Sequence, residues 1–374
     1  MAKPHIGFVL QGLGAGGSER IVSLLCNHFA AQGWTVTLFA FEDRDTTPYY
    51  PHHPAVRIMP LGMKSEKMPL FGALKAVRAR VELLRKGFEV ASPDLIVSFL
   101  TRTNIFSLLA ARKLGIPVIV SERNNPAMQT VGPFWSRLRK WTYPHAYGLI
   151  TMTRGAMNYF PPQMRKRQWV IPNPAHLPDE AKPYRAEGRT MAAVGRLVPQ
   201  KGFDRLLDAF SRIATDHPDW TLVIWGEGPD RAALEEQRRR LGLDGRVEMP
   251  GVSKQPGGWI EQSDLFILSS RFEGWGLVLG EAMAAGLPVI SFDCEWGPAE
   301  MIEQETSGIL VPNGDVAALA EALAKLCSDG ALRIRLGENA RAAMRRFTTD
   351  RILEHWQQTL WEALANVPAS RVAA

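Results

Sequence analysis

The stretch SDLFILSSRFEGWGLVLGEAMAAGLPVISFD, residues 263–293, decides the fold of this chain. Residues 264–269 form a short apolar run that is typical of a buried parallel strand. Residues 276–285 predict an apolar helix that ends at Gly286, and residues 287–292 predict the next strand. A strand, a polar turn, a helix and a second strand in this order predict a parallel α/β unit.

The polar turn at residues 271–274 is a predicted ligand site. It begins at the carboxyl end of a strand, which is where open α/β sheets bind their ligands. It also leads into a helix N-terminus, whose free amides and dipole attract phosphate groups. Gly274 and Gly276 would let an anion approach this backbone closely.

Two carboxylates flank the turn, Glu273 before the helix and Glu281 inside it, with seven residues between them. Glu281 lies roughly 7 Å along the helix axis from Gly276, about the distance from a diphosphate to its ribose. Helix amides and a carboxylate that accepts hydrogen bonds from the ribose diol could together hold a nucleoside diphosphate. The alternative is that Glu281 is simply exposed to solvent, and the spacing alone does not decide.

Composition and length indicate a globular protein of two domains. The chain has 374 residues, which exceeds the usual size of a single core, with 46% apolar and 22% charged residues. No apolar run has transmembrane length, and the first residues lead into a predicted strand instead of a signal peptide. Cys26, Cys294 and Cys327 lack the spacing of a metal site. We expect a reduced, cytoplasmic protein without a structural metal.

Charge divides the chain into a basic and an acidic half. Residues 1–185 contain 24 Lys and Arg against 11 Asp and Glu, a net charge of +13, whereas residues 186–374 contain 20 against 27, a net charge of −7. The basic half indicates an anionic partner, either nucleic acid or a membrane surface, although solvated helix faces would give the same count. The acidic half and the lack of a recognised module argue against nucleic acid.

A glycine-rich loop near the N-terminus allows two interpretations. Gly12, Gly14 and Gly17 fit the pattern GxGxxG between a predicted strand and a predicted helix, and acids follow the second strand at Glu42 and Asp43. The pattern could mark a nicotinamide dinucleotide site. It could also be a flexible loop whose amides bind a phosphate or sugar oxygen in a cleft between domains. No later segment supports a nicotinamide site.

Strands and helices alternate along both halves, which predicts two doubly wound parallel sheets facing across a cleft. Residues 173–187 are polar and rich in proline and form the predicted linker. In the first half, residues 134–144 mix aromatic side chains with Arg137, Arg139 and Lys140. Such a helix could lie on a bilayer interface or could pack its aromatic rings inward.

The second half places further phosphate-binding residue types at strand ends. Arg196 follows a predicted strand at Gly195, and Lys201 with Gly202 begins the next helix. Two cations and a helix start therefore converge on one sheet edge, as binding of a diphosphate requires. Lys201 considered alone could be an ordinary surface lysine.

These motifs resemble the retaining glycosyltransferases of family 4, which have the two-domain GT-B fold. The resemblance extends over nearly the whole chain and rests on these segments: GAGGSER at 14–20, SERNNP at 121–126, IPNP at 171–174, GRLVPQKG at 195–202, GEGPD at 226–230, PGV at 250–252, RFEGWGLVLGEAMAAGLPVI at 271–290, GPAEMI at 297–302 and SGILVPNGD at 307–315. The chain looks most like enzymes that build lipid-linked oligosaccharides and surface polysaccharides, such as the GalNAc transferases of bacterial N-glycosylation.

The resemblance implies a role for each candidate residue. Arg196 and Lys201 would neutralise the diphosphate of a nucleotide sugar, and Glu273 would contact the donor sugar. Glu281 would hold the ribose. The remaining contacts would come from the helix amides, from the base-binding region after Gly251 and from the first-half loop: Gly276, Leu277, Val278, Val252, Gly16 and Gly17.

The resemblance also implies two domains, residues 1–178 for the acceptor and membrane side and 186–346 for the nucleotide sugar, with a C-terminal helix at about 350–366 returning to the first. It implies transfer of a hexose or N-acetylhexosamine from a UDP-sugar, with retention and without a required metal or cofactor. The acceptor would be a polyprenyl-diphosphate-linked or other envelope glycan, at the inner face of the cell membrane.

Two alternatives and one departure from the family remain. The chain could be a nucleotide-sugar epimerase of the same architecture, or the NAD-dependent oxidoreductase that the glycine loop suggests. Many relatives carry a histidine near the SERN segment, where this sequence has Arg123. The roles of Glu122 and Arg123 toward the sugar therefore stay open.

Overall fold

The computed structural model of the protein describes residues 3–62, 73–128, 131–175, 187–253, 255 and 257–366. The chain divides into two compact units. Unit 1 comprises Met1–Pro172 and Leu353–Ala374, and unit 2 comprises Asn173–Ile352. The greater part of the predicted linker, residues 176–186, lies outside the described residues.

Unit 1 is built on a sheet of seven parallel strands, which confirms the predicted fold class. The strands are β1 His5–Leu10, β2 Thr35–Ala40, β3 Val56–Pro60, β4 Leu95–Phe99, β5 Val118–Ser121, β6 Gly148–Thr151 and β7 Gln168–Val170, and they lie in the order β3-β2-β1-β4-β5-β6-β7. The connecting helices are α1 Gly17–Ala31, α2 Ala73–Ala91, α3 Thr101–Ala111, α4 Pro133–Thr142 and α5 Arg154–Tyr159.

Both faces of this sheet are covered, because neighbouring residues of β1 pack into different clusters. Phe8 stacks on Phe29 of α1 with ring centroids 6.2 Å apart. Val9 belongs instead to the core that includes Val81 of α2 and Ile105 of α3. Successive side chains of a strand point to opposite faces, so helices cover the sheet on two sides. This arrangement explains why the strands are continuously apolar instead of alternating.

Unit 2 repeats the same topology with six parallel strands. These are β8 Thr190–Val194, β9 Thr221–Trp225, β10 Val247–Gly251, β11 Leu265–Leu268, β12 Val289–Asp293 and β13 Ile309–Pro312, in the order β10-β9-β8-β11-β12-β13. The helices are α6 Phe203–Ile213, α7 Arg231–Arg240, α8 Leu277–Ala285, α9 Pro298–Met301, α10 Val316–Ser328 and α11 Gly330–Met344. The stretch that opened the sequence analysis forms β11, α8 and β12, as predicted.

The last helix, α12 at Thr349–Ala365, joins unit 1 from Leu353 onward. Its Trp356 is fully buried and stacks on Phe99 of β4 with ring centroids 5.9 Å apart. Trp361 contacts Trp34 edge-on at 4.7 Å, and Tyr147 donates a hydrogen bond to the carbonyl oxygen of Ala363 at 3.2 Å. The C-terminal segment is thus part of the core of unit 1.

Sequence reasoning missed only short elements and shifted some boundaries. Helices α5 and α9, with six and four residues, are too short to show an apolar period. The helix predicted at 69–88 is described as Ala73–Ala91, and its predicted first residues, 69–72, lie outside the described residues.

We expect the substitution Trp356→Ala to lower the free energy of unfolding of unit 1 by about 3–5 kcal/mol, because it empties a fully buried site. Urea unfolding followed by circular dichroism measures this loss. Gln358→Ala, at an exposed position of the same helix, is the control and should change stability by less than about 0.5 kcal/mol. Equal effects of the two substitutions would contradict the packing of α12 on unit 1.

Candidate active site

The candidate site lies where the strand order of unit 2 changes direction, between β8 and β11. β8 continues through β9 to β10 on one side, whereas β11 continues through β12 to β13 on the other. The crevice at such a point, outside the carboxyl ends of the two strands, is the ligand-binding position of doubly wound sheets. Gly195 and Arg196 follow β8, and residues 269–273 follow β11, so the predicted residues lie at the two sides of this crevice.

An ion pair joins the two loops at the crevice. The Lys201 ammonium contacts Glu273 Oε1 at 2.6 Å, and the side chains are 17% and 8% exposed. Ser270 donates a second hydrogen bond to the same carboxylate oxygen at 2.7 Å. The structure therefore brings together two residues that lie 72 positions apart in the chain. Both are among the residues that the sequence predicts for the site.

Gly202 allows the Lys201 loop to approach the loop after β11. Lys201 ends a short 3₁₀ turn, Pro199–Lys201, and Gly202 follows with φ of +62°. A Cβ at Gly202 would lie 2.1 Å from the carbonyl oxygen of Ser269. Both the left-handed backbone and the close contact exclude a larger residue at this position.

Further hydrogen bonds connect the same two loops. The Arg271 amide donates to the Gln200 carbonyl at 2.8 Å, and Gln200 Nε2 donates back to the Phe272 carbonyl at 3.1 Å. Ser269 Oγ donates to the Lys201 carbonyl at 2.9 Å. The loops carrying Lys201 and Glu273 are therefore held in one arrangement by backbone contacts as well as by the ion pair.

Arg271 and Asp204 form a bidentate pair beside the crevice. Arg271 Nη1 and Nη2 donate to the two Asp204 oxygens at 2.8 and 2.6 Å, and Nη1 also donates to the Pro199 carbonyl at 2.6 Å. Partial burial acts to raise the pKa of Asp204, but the hydrogen bond and charge of Arg271 outweigh it, so the net pKa is lowered. The pair is therefore fully ionised at neutral pH and weakens only in acid, as Asp204 becomes protonated.

Helix α8 presents its N-terminus to the same edge. Its N-cap is Gly276, with φ of +87°. The amides of Gly276, Leu277 and Val278 lie at or before the first turn, where amides lack acceptors within the helix and are suited to an anion. Glu281 follows in the second turn and is partly buried. Glu281 and the first amides of α8 therefore lie on one helix, as the sequence predicts.

Cys294 lies just past β12 and close enough to the ion pair to interact with its charges. The thiol is buried, and burial together with the charge of Glu273 raises the pKa of Cys294 to about 12. The thiol therefore stays protonated at neutral pH and cannot serve as a nucleophile there.

Two predicted residues of unit 2 are exposed instead of packed. Arg196 points to solvent, and among the described residues its guanidinium has no hydrogen bond or ion pair. Val252 follows Gly251 at the end of β10 and is 70% exposed. Neither position contradicts a role toward a ligand, since both lie at carboxyl ends of strands, but their roles stay predictions.

The glycine loop of unit 1 follows β1 and leads into α1, with Gly16 as N-cap and Gly17 as first helical residue. The Glu19 carboxylate folds back on this helix start, 2.1 Å from where a Cβ of Gly16 would stand. Burial raises the pKa of Glu19, and the charge of Glu42 raises it further. The Leu13 amide donates to Glu42 Oε1 at 3.4 Å. The acid that suggested a dinucleotide site thus contacts the loop itself.

Glu122 and Arg123, whose roles the sequence left open, are buried in unit 1. Glu122 accepts hydrogen bonds from Thr101 at 3.0 Å and from the Tyr143 hydroxyl, and burial raises its pKa. The Arg123 guanidinium lies 5.2 Å from the ring centroid of Trp356 and 5.6 Å from that of Phe99. Burial lowers its pKa to about 9. Both side chains have structural partners within their own unit.

Sequence reasoning did not find the residues that hold the site together. Arg271 and Asp204 were seen only as parts of a polar turn and of a helix, and Ser270 was not singled out. Their pairing depends on the switch in strand order, which places β8 and β11 side by side. The one local signal was an arginine in the polar turn after a buried strand, and this signal does not specify which acid the arginine pairs with.

None of the described helices is long and apolar enough to cross a bilayer.

Two family models match the chain, one in each half. Residues 16–174 match the model described as Glycosyl transferase 4-like domain, and residues 179–343 match the model described as Glycosyl transferases group 1. Together the two matches cover most of the chain. Both family models describe glycosyltransferases, so the epimerase and oxidoreductase alternatives have no support.

Two similar proteins differ in the activity that they are named for and in how much of this chain they match. An Exopolysaccharide phosphotransferase of Streptomyces coelicolor is 35% identical over 227 residues, 59% of this chain, although the chain covers only 24% of that relative. An alpha-1,4-N-acetyl-D-galactosaminyltransferase of Campylobacter jejuni is 26% identical over 96% of this chain and 98% of its own length. Its name specifies the acceptor GalNAc-alpha-(1->4)-GalNAc-alpha-(1->3)-diNAcBac-PP-undecaprenol.

A solved structure shows the same fold over the whole chain. Anabaena Alr3699/HepE in complex with UDP-glucose superposes with a TM-score of 0.77 and 20% sequence identity, covering 96% of this chain and 100% of that one. The two parallel sheets, the order of their strands and the matches in both halves lead to one assignment: the chain belongs to the glycosyltransferases and has the GT-B fold.

Proposed function

We propose that this glycosyltransferase moves a hexose or N-acetylhexosamine from a UDP-sugar to a polyprenyl-diphosphate-linked or other envelope glycan. The transfer retains the configuration of the donor and forms an α-glycosidic bond. The enzyme acts at the cytoplasmic face of the cell membrane as a peripheral protein. The observation that carries the proposal is the Lys201–Glu273 ion pair beside the N-terminus of α8.

Unit 2 offers the complementary groups that a nucleoside diphosphate requires. Lys201 and Arg196 supply positive charge, the first amides of α8 supply donors, and Glu281 supplies an acceptor for the ribose diol. Arginine pairs with phosphate oxygens in a bidentate manner, so the exposed Arg196 is well suited to close on a bound diphosphate. The Anabaena structure, which holds UDP-glucose, makes uridine the first nucleotide to test.

In the transfer step, the bond between the anomeric carbon and the diphosphate breaks, and the acceptor oxygen bonds to the same face of the sugar. The departing phosphate oxygen takes the proton of the acceptor hydroxyl. Lys201, Arg196 and the α8 amides stabilise the charge that develops on the leaving group, and such preplaced donors are worth a few kcal/mol each. Glu273, held by Ser270, contacts the donor sugar. The protein supplies these charges itself, so we propose that no metal is required.

The proposed acceptor is supported by the charge of the first half of the chain and by the Campylobacter relative. A polyprenyl diphosphate is anionic and lies in a membrane whose inner surface is also anionic, which suits the net charge of +13 in residues 1–185. The relative acts, by its name, on an undecaprenol-linked glycan.

A thermal-shift panel of UDP-, GDP- and ADP-sugars, followed by transfer to a polyprenyl-linked glycan, tests the proposal. Stabilisation by UDP-sugars and a product with an α-linkage by NMR would support it. Transfer should persist in EDTA. A changed donor sugar without any acceptor would show an epimerase, and quenching of tryptophan fluorescence by a nicotinamide cofactor would show an oxidoreductase. Either result would overturn the proposal.

We expect Lys201→Ala and Glu281→Ala to weaken UDP binding by about 10- to 150-fold, because each removes a contact to a charged or diol group worth about 1.5–3 kcal/mol. Isothermal titration calorimetry with UDP measures the change. The exposed pair of Lys325 and Glu305, 2.9 Å apart in the same unit, provides matched controls. Lys325→Ala and Glu305→Ala should bind UDP as the unmodified protein does, and unchanged binding in the Lys201 and Glu281 variants would refute the site.

We expect Arg271→Lys to raise the KM for the donor by about 5- to 30-fold, equivalent to about 1–2 kcal/mol. Lysine cannot form the bidentate pair with Asp204 that holds the Lys201 loop, so Arg271 acts as a positioning residue. Initial rates over a range of donor concentrations, with a melting curve for each variant, measure the effect. A lower melting temperature with an unchanged KM would show that the pair supports only stability.

A further inference from the structure

Helix α4 of unit 1 has a buried side and an exposed side of unusual composition. Its sequence is PFWSRLRKWT, and Trp135, Arg139 and Thr142 are buried. The exposed side carries two large aromatic side chains, Phe134 at 41% and Trp141 at 53% exposure. Arg137 and Lys140 are exposed on the same side. We call these four residues, Phe134, Arg137, Lys140 and Trp141, the aromatic-basic face.

The buried side fixes the orientation of this face. Trp135 packs edge-on against Phe106 of α3 with centroids 5.5 Å apart. Arg139 donates to the Tyr159 hydroxyl at 2.9 Å and lies 5.5 Å from the centroid of Phe160. With the inward side occupied by these contacts, the exposed rings cannot turn into the core without breaking them. The sequence allowed inward packing or an interfacial helix, and the structure shows that α4 divides its aromatic residues between both sides.

Positive charge predominates in the part of the sequence that carries the aromatic-basic face. Arg112, directly after α3, lies 5.7 Å from the centroid of Trp141, and Arg102 of α3 lies 5.2 Å from that of Trp135. Both arginines are exposed, as is Lys113. Across residues 101–178 the sequence contains eleven Lys and Arg and one acid, a net charge of +10. That acid is Glu122, which is buried. A solvated helix face normally mixes both signs of charge.

We propose that the aromatic-basic face of α4 is the surface by which the enzyme docks on an anionic lipid bilayer. This inference rests on the proposed function, which requires access to a polyprenyl-linked acceptor. The rings of tryptophan and phenylalanine insert at the boundary between lipid headgroups and acyl chains. There the ring is removed from water while neighbouring polar groups stay hydrated. Cations beside them contact lipid phosphates, and an amphipathic helix of this composition binds in the plane of the interface.

The position of α4 in the fold suits an acceptor that stays in the membrane. The helix follows β5, so its first residues, Pro133 and Phe134, lie toward the carboxyl edge of the unit 1 sheet, the edge at which such sheets bind ligands. A bilayer that contacts Phe134 would present a lipid diphosphate toward that edge. The charge and the aromatic residues together fit a lipid surface better than a nucleic acid, for which the exposed rings form no stacking series.

The experiment measures binding of the full chain to vesicles of phosphatidylglycerol and of phosphatidylcholine by sedimentation, at low and high salt. Two double variants remove one property each, Phe134→Ser with Trp141→Ser and Arg137→Glu with Lys140→Glu. The matched control is Ile334→Ser with Arg335→Glu, an exposed apolar and basic pair on α11 of unit 2.

We expect the unmodified chain and the control to bind phosphatidylglycerol vesicles and to be released by salt, with little binding to phosphatidylcholine. Each α4 variant should bind at least ten-fold more weakly. Transfer to a water-soluble, short-chain acceptor should be unchanged in the α4 variants, which separates this inference from the proposed function. If the unmodified chain binds vesicles but does not transfer sugar to the short-chain acceptor, the proposed function is refuted and the docking surface is not.

Three outcomes would overturn the inference. The first is that the unmodified chain binds neither kind of vesicle. The second is that the α4 variants bind as well as the control, which would place the lipid contact elsewhere. The third is that the α4 substitutions abolish binding of an RNA or a protein partner while vesicle binding persists, which would identify another occupant of the face.

Discussion

The Lys201–Glu273 ion pair is the contact on which the arrangement of the candidate active site depends. It joins the loop after β8 to the loop after β11, at the point where the sheet of unit 2 changes direction. Both side chains are mostly buried, so removal of one partner leaves a charge in a poorly hydrated site, at a cost of about 3–5 kcal/mol. The pair is therefore stable before any ligand binds. It holds a cation and a carboxylate at the edge of the sheet.

The pair is not left to hold the two loops alone. Arg271 and Asp204 form a second, bidentate contact between the same segments, and Gly202 permits an approach that no other residue could make. These contacts fix the backbone, whereas the ion pair fixes two functional groups. Because the backbone contacts hold the loops without the ion pair, the Lys201 side chain could turn toward a diphosphate while the loops keep their structure. Preorganisation of this kind reduces the entropy that binding must overcome.

The fold could be predicted from the sequence because parallel strands and helices leave strong local patterns. Strands such as β8 and β11 were identified by their apolar runs, and the end of α8 by its glycine. The alternation of strands and helices predicted two parallel sheets. The pairing of Arg271 with Asp204 could not be predicted, because it depends on which strands become neighbours. Likewise, the burial of Arg123 between Phe99 and Trp356 could not be predicted, because the resemblance implied that the C-terminal helix returns to unit 1 but no local pattern specifies which residues it covers.

The two units use charge in different ways, and this difference fits the partner proposed for each. In unit 2, the pairs Lys201–Glu273 and Arg271–Asp204 are partly buried, which suits a small ligand whose atoms must be placed accurately. In unit 1, Arg102, Arg112, Arg137 and Lys140 on and beside α4 are exposed, and within the described part of the chain they form no ion pair with an acid, which suits a broad surface of phosphates whose positions vary. Exposed charges act within about 8 Å at physiological ionic strength. A surface of this kind can therefore attract a bilayer without ordering it, while the proposed role of unit 2 is to select the donor through fixed contacts.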